Sequence, residues 1–186
     1  MRIALAAAST FAALSLFAAR AHAVERQHHI GLAPSLSLLK VDDKSTMSVG
    51  MGGALHYTYG LSDQFNLMAE FNSSIVALDQ QQDTAETPKT RPATVDHLSL
   101  GLGYVIDVLR WVPYVGVLPG VYRLAGGTLD GSLFLPGAAL AVGLDYQLSR
   151  HWAIGAAAHQ HFLFTKMSTY PSYTTGLLRL EYMWGF

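Results

Sequence analysis

The sequence predicts an all-β protein, an eight-stranded antiparallel up-and-down transmembrane β-barrel, and three observations lead to this prediction. Apolar residues make up 51% of the chain, yet beyond the N-terminal segment no apolar run approaches the roughly 18 residues of a spanning helix. Apolar residues instead alternate with small or polar ones over eight segments, as in strands that face two environments. The connections between these segments alternate between short and long. Together these features are typical of strands that cross a membrane with their apolar side chains toward lipid.

The N-terminal segment, residues 1–23, is predicted to be a cleaved secretory signal. Arg2 supplies the positive start, residues 3–17 form an alanine- and leucine-rich apolar run, and Ala21-His22-Ala23 provides a small-x-small cleavage site. A single transmembrane anchor is the alternative, but the run is short and Arg20 follows it closely. The mature protein is then expected to be one barrel domain over residues 24–186.

Each predicted strand pairs a bulky apolar face with a face of small or polar residues. In the sixth strand, Leu140, Val142 and Leu144 alternate with Ala141 and Gly143. If the bulky face were a soluble core, the outside would consist of Gly and Ala, which are poor strand formers. We therefore predict that the bulky face meets lipid and that the small face lines a narrow lumen. The eight strands are predicted at about 29–39, 47–59, 64–75, 94–107, 112–124, 134–147, 151–165 and 173–186.

The last predicted strand shows the two faces most clearly. Arg179 and Glu181 alternate with the bulky residues Leu178, Leu180, Tyr182, Trp184 and Phe186. Aromatic residues also recur near the short connections, where an interfacial girdle is expected. The predicted girdle consists of Tyr57, Tyr59, Phe65, Tyr104, Tyr146, Trp152, Tyr182, Trp184 and Phe186.

The connections are sorted by length. Those at 60–63, 107–111 and 148–150 are short, whereas those at 40–46, 76–93, 125–133 and 166–172 are longer and richer in polar residues, Gly or Pro. An even strand count places both termini and the short turns on the periplasmic side and the long loops outside the cell. The polar 76–93 loop is the candidate surface for an extracellular contact, and a solvated loop without a partner is the alternative.

Composition excludes some partners and sources of stability. The chain has 12 Lys and Arg against 13 Asp and Glu, with no run of like charges, which argues against nucleic acid as a partner. Cysteine is absent, so stability must come from hydrogen bonds and packing and not from disulfides.

Two hairpin segments, 55–71 and 143–155, resemble the strand–turn–strand units of small bacterial outer-membrane β-barrel proteins, such as the OmpA and OmpX transmembrane domains. This resemblance implies a location in the outer membrane of a Gram-negative envelope, in contact with its lipids and lipopolysaccharide. The terminal Phe186 with its alternating aromatics resembles the signal that such proteins present to the outer-membrane assembly machinery. Nothing follows Phe186 in this sequence, so the periplasmic domain of many OmpA-like proteins is expected to be missing.

The predicted lumen carries charged and titratable side chains. Charges inside a membrane protein are functional candidates, but in a narrow barrel they also pair and fill the interior. We expect such a network from Glu70, Tyr114, Asp145, Arg179 and Glu181, with the lumen histidines His56, His97, His159 and His161. The spacing of His159 and His161 could chelate a metal, but no third ligand is evident, and neither a metal nor a cofactor is predicted.

The function predicted from these features is that of a non-enzymatic outer-membrane barrel with an envelope-structural or surface-interaction role. A narrow, porin-like diffusion channel is the main alternative. A more distant one is a lipid A-modifying enzyme, because His97 and Ser99 on one face resemble the His-x-Ser element of lipid A deacylases. However, Leu100 stands where such enzymes usually have Asn, and the predicted facing directs both side chains away from lipid.

Overall fold

The structure is a computed structural model that describes residues 26–41, 47–77, 90–106 and 110–185. The predicted signal at 1–23, residues 78–89 of the predicted 76–93 loop, and Phe186 lie outside the described residues. The expectations that concern them remain predictions.

Eight strands form one closed antiparallel barrel, in which each strand pairs with its neighbours in sequence and the first pairs with the last. This confirms the predicted fold class. No helix among the described residues is long and apolar enough to cross a membrane. The strands are β1 His28–Lys40, β2 Met47–Gly60, β3 Phe65–Val76, β4 Thr94–Val105, β5 Trp111–Ala125, β6 Leu133–Gln147, β7 Trp152–Leu163 and β8 Ser172–Trp184.

The observed bounds differ from the predicted ones by at most two residues at each end. The largest differences are at the ends of β4 and β7, which finish at Val105 and Leu163, and at the end of β8. After Leu163 the chain turns, and Lys166 N donates to Leu163 O at 3.1 Å. The alternating pattern continues through Phe164, so the sequence alone did not show where pairing stops.

The register fixes how the strands are inclined. A path that follows paired residues from His28 through all eight strands returns to β1 at Leu38, ten residues farther along. A displacement of this kind requires strands that tilt relative to the barrel axis, typically by about 35–45°. An eight-stranded barrel of this type has an interior just wide enough for side chains to fill.

The outward wall is apolar along its length. Its exposed side chains include Leu32, Met51, Leu98, Val117 and Leu178, which alternate with buried neighbours. At the short-turn end, aromatic side chains from paired strands touch: Phe65 with Tyr104, with ring centroids 5.4 Å apart, and Trp152 with Tyr182 at 5.3 Å. The girdle also includes Trp111, which contacts Tyr146 at 4.7 Å and was not in the predicted set.

Two of the short turns are built in the same way. In the β2–β3 turn, Ser62 Oγ accepts a hydrogen bond from Phe65 N at 3.1 Å. In the β6–β7 turn, Ser149 Oγ accepts one from Trp152 N, also at 3.1 Å. A serine hydroxyl that bonds to the backbone in this way favours a tight turn. In both cases the next strand begins at an aromatic residue of the girdle.

Candidate functional site in the barrel interior

The inward faces of the strands form the candidate site. Side chains alternate between the two faces, so each strand contributes every second residue to the interior. The structure buries all nine side chains that the sequence analysis assigned to the lumen: Glu70, Tyr114, Asp145, Arg179, Glu181, His56, His97, His159 and His161. They form two groups at different depths, and an apolar group lies beyond them toward the long loops.

The first group, the base network, lies toward the short-turn end and is organised around Glu181. Its Oε1 atom lies 2.9 Å from His56 Nε2, and its Oε2 atom lies 3.0 Å from His29 Nδ1. Arg179, two residues away on the same inward face of β8, also bonds to Glu181 Oε1. The Glu181 carboxylate, which is only 1% exposed, is thus surrounded by donors from β1, β2 and β8.

Arg179 joins Glu181 to the opposite wall. Its guanidinium donates to the Tyr114 hydroxyl, and its Cζ atom lies 4.9 Å from the centroid of the Tyr114 ring. Arg179 NH1 also lies 3.4 Å from Asp145 Oδ2. One cation thus contacts two carboxylates and an aromatic ring, an arrangement that suits the planar guanidinium.

Glycines on the inward face make room for this network. A Cβ atom at Gly143 would lie 2.3 Å from Tyr114 Cζ, and one at Gly155 would lie 1.9 Å from Asp145 Oδ1. Side chains at these two positions would therefore displace the ring and the carboxylate. The small residues on the inward face thus leave the space that the large polar side chains crossing the lumen occupy.

The second group, the Glu70 cluster, lies deeper in the barrel. Glu70 Oε1 lies 3.1 Å from His97 Nε2 and 3.2 Å from His159 Nδ1. The third histidine, His161, bonds to two hydroxyl groups: that of Tyr122, at 3.0 Å from Nδ1, and that of Thr175, at 2.9 Å from Nε2. The cluster therefore holds one carboxylate and three imidazoles.

Toward the long loops the interior becomes apolar. The outer cluster contains Leu39, Val41, Val76, Val95, Tyr122, Leu124, Leu135, Leu163, Tyr170 and Tyr173, all buried. Tyr170 belongs to the β7–β8 connection, and its hydroxyl donates to Thr90 O of the β3–β4 connection at 2.9 Å. Burial raises the pKa of this hydroxyl, which keeps it protonated as a donor. Arg91 N in turn donates to Thr128 Oγ1 of the β5–β6 connection at 3.0 Å, so three loops meet over the outer cluster.

One cavity lies beside the base network. It is lined by Asn66, Met68, Tyr114, Asp145 and Arg179, among others, and has a volume of about 30 Å³. A polar cavity of this size can hold water. The base network thus leaves room for water beside it.

Two features of the interior were missed by the sequence analysis. His29 contacts Glu181, and its position two residues before the inward-facing Gly31 could have revealed this. The outer cluster was also missed, because small or polar residues were expected to line the whole lumen. Inward parity assigns Leu124 and Leu135 to the interior, so the alternation did contain that signal.

The geometry of His97 and Ser99 gives no support to a nucleophile–base pair. His97 Nε2 is bonded to Glu70, while Ser99 Oγ lies 3.5 Å from the backbone oxygen of Glu70. Both side chains are buried in the lumen, on the face opposite to the outward apolar wall. Among the residues that the structure describes, no group of three or more His, Asp or Glu side chains is arranged to hold a metal ion.

Comparison with known families agrees with this architecture. Residues 9–186 match the family model described as the outer membrane protein beta-barrel domain. The chain belongs to this outer-membrane β-barrel family. Membership places the protein in the outer membrane as an integral protein. No curated protein sequence matches the chain.

Solved structures of family-like barrels superimpose on most of the chain. Neisserial surface protein A has a TM-score of 0.63 at 12% identity, covering 86% of this chain and 97% of that one. Ail, the attachment invasion locus protein of Yersinia pestis, has a TM-score of 0.56 at 16% identity, covering 86% and 99%. OprG of Pseudomonas aeruginosa has a TM-score of 0.56 at 13% identity, covering 87% and 98%. At these identities the likeness concerns the fold alone.

Proposed function

We propose that this outer-membrane barrel is a non-enzymatic protein with an envelope-structural or surface-interaction role. The observation that carries the proposal is the occupied interior. The base network, the Glu70 cluster and the outer cluster follow one another along the barrel, and three loops meet over the last of them. A barrel filled in this way serves as a rigid support for its loops.

The occupied interior favours this role over a narrow diffusion channel. A continuous water path would have to displace Arg179 from its carboxylates and then pass the apolar outer cluster. Breaking a buried ion pair is costly, and apolar constrictions exclude water. Single barrels inserted in a planar lipid bilayer should therefore show no stable conductance steps. Discrete, reproducible steps would favour the channel instead.

A surface role would be carried by the loops, above all by residues 76–93. Loops on a rigid scaffold commonly carry binding functions, and Ail, a barrel of this architecture, is named for attachment and invasion. The test is adhesion of cells that display the barrel with residues 79–88 replaced by a short Gly-Ser turn. The matched control carries the same ten positions in scrambled order. Adhesion lost in the replacement and in the scrambled variant supports a specific contact, and unchanged adhesion in both supports a purely structural role.

Export and assembly are part of the same proposal. Cleavage after Ala23 would give a mature N-terminus at Val24, which mass spectrometry of the purified protein can check. Contact with the assembly machinery would use the terminal aromatic residues, so deletion of Phe186 should reduce the amount of folded barrel in the outer membrane without affecting export. Normal assembly of the truncated chain would contradict this part of the proposal.

The distant enzymatic alternative has its own test. A lipid A-modifying activity predicts a change in the acyl content of lipopolysaccharide on overexpression, and loss of that change in His97→Ala. The proposed function predicts unchanged lipid A in both cases.

Non-covalent contact with lipopolysaccharide is expected from the apolar outward wall. The yield of folded barrel in vesicles with and without lipopolysaccharide would measure the effect of this contact.

A further inference from the structure

The Glu70 cluster has an imbalance of charge and of hydrogen-bond partners. Three imidazoles, those of His97, His159 and His161, lie together with one carboxylate, and only the first two contact it. The ring centroids of His97 and His161 lie 4.7 Å apart, and those of His159 and His161 lie 6.1 Å apart. All three side chains are only 2% exposed, so water screens these groups poorly.

Few other titratable groups face the cluster. β2 contributes His56, the register partner of Glu70. β5 and β8 contribute the hydroxyls of Tyr122 and Tyr173, and the inward residues of β1 and β6 at this depth, such as Ser35, Ser37 and Ala139, carry no charge. Arg179 and Glu181 belong to the base network, where they pair with each other. Asp96 is on the outward face of β4 and pairs with Arg123.

The hydrogen bonds provide no acceptor for a further proton on the two histidines that contact Glu70. His97 Nε2 and His159 Nδ1 each contact Glu70, while His97 Nδ1 and His159 Nε2 have no hydrogen-bond partner among the described residues. A proton added at either of these nitrogens would be a buried donor without an acceptor, which is destabilising. His161 contacts hydroxyl groups, which cannot balance a positive charge.

We propose that the Glu70 cluster is a pH-sensitive element that loosens the barrel interior in mildly acidic medium. One imidazolium beside Glu70 forms a neutral pair. A second and a third imidazolium would place like charges within 4.7 and 6.1 Å of each other, in a site where the described residues supply no further carboxylate. An unfolded chain takes up all three protons at around pH 6.5, as imidazoles in water do.

The sign of the effect follows from the proton count. Below about pH 6.5 the unfolded chain binds three protons on these histidines, whereas the folded cluster, with one carboxylate for three imidazoles, binds fewer. Because the unfolded state binds more protons, stability rises with pH and falls on acidification. Each excess proton in the unfolded state raises the unfolding equilibrium constant about tenfold for each pH unit of acidification.

The experiment measures urea unfolding of the barrel in lipid vesicles at several pH values between 7.5 and 5. His161→Gln removes one excess proton and should lower the pH dependence about tenfold per unit. Glu70→Gln removes the one compensating charge and should raise it by about the same factor. The control, His151→Gln, changes an imidazole of the β6–β7 turn, outside the cluster, and should not reproduce either of these changes.

Opposite shifts in the two cluster variants would support the proposal. An unchanged pH dependence in both, or equal shifts in all three variants, would overturn it. Imidazole NMR of the unmodified barrel gives a second reading that does not depend on the folding of any variant. Fewer than three protonated imidazoles in the cluster at pH 5.5 are expected, and three protonated imidazoles in a fully folded barrel would overturn the proposal.

Discussion

Replacing Arg179 by methionine tests whether the base network stabilises the barrel as a buried ion cluster. Arg179 contacts Glu181, Asp145 and Tyr114, and its side chain is 5% exposed. Arg179→Met retains much of the side-chain volume but removes the guanidinium that contacts two buried carboxylates, those of Asp145 and Glu181. Removing one partner of a buried pair costs about 3–5 kcal/mol, so the free energy of unfolding should fall by about that amount.

An ion pair of the same barrel supplies the matched control. Arg123 NH1 lies 3.2 Å from Asp96 Oδ2, but the Arg123 side chain is 48% exposed on the outer rim. Exposed pairs contribute about 0–1 kcal/mol, so Arg123→Met should change the unfolding free energy by no more than that. Both variants remove an arginine from an aspartate, so the difference between them reports the burial of Arg179 together with its second carboxylate, Glu181.

The assay is urea unfolding in lipid vesicles, followed by tryptophan fluorescence and by the gel mobility of unheated samples. Adding Glu181→Gln to Arg179→Met should restore part of the lost stability, because one of the two carboxylates that lost the guanidinium is then replaced by a neutral amide. A coupling energy of about 0.5–3 kcal/mol is expected between the two positions. If Arg179→Met costs no more than Arg123→Met, or if the second substitution adds its own full loss, the account of the base network is wrong.

Three further predictions concern other parts of the barrel. Gly143→Ala should lower the free energy of unfolding by about 1–3 kcal/mol in urea unfolding, because its Cβ atom would meet the Tyr114 ring. Gly176→Ala, where a Cβ atom meets nothing within 4 Å, should be neutral. Equal effects of the two substitutions would contradict the packing argument. Leu178→Arg, on the outward apolar wall, should lower the free energy of unfolding by about 2–4 kcal/mol. Met167→Arg, in the β7–β8 connection, should leave it almost unchanged. A tolerated arginine at position 178 would mean that this face does not meet lipid. Tyr170→Phe removes the hydrogen bond to Thr90 O and should accelerate proteolysis within the loops, while the strands stay protected. Unchanged cleavage would show that this hydrogen bond does not hold the loops together.

The sequence predicted which residues face inward because side-chain direction in a strand has a period of two. Glycine and alanine at every second position, as at Gly143 and Ala141, indicated a narrow interior, and the barrel has one. The count of strands and their approximate bounds followed from the same alternation. These features depend only on local geometry and on the environment of each face.

The pairing of the interior groups could not be predicted in the same way. His56 and Glu181 are separated by 125 positions, and they meet because β1 closes the barrel between β2 and β8. Which inward residues share a depth depends on the ten-residue displacement of the register, which no single strand encodes. For the same reason the histidines were predicted only as a set, and those near Glu181 were not separated from those near Glu70.

The absence of cysteine makes the most direct test of the lipid-facing wall simple to perform. Single cysteines placed at successive positions of β8 from Thr174 to Trp184, each carrying a spin label, report accessibility to oxygen dissolved in the bilayer. Accessibility is predicted to alternate, with high values at Leu178, Leu180 and Tyr182 and low values at Arg179 and Glu181. The opposite phase, or no alternation, would contradict the assignment of the bulky face to lipid and of the charged face to the barrel interior.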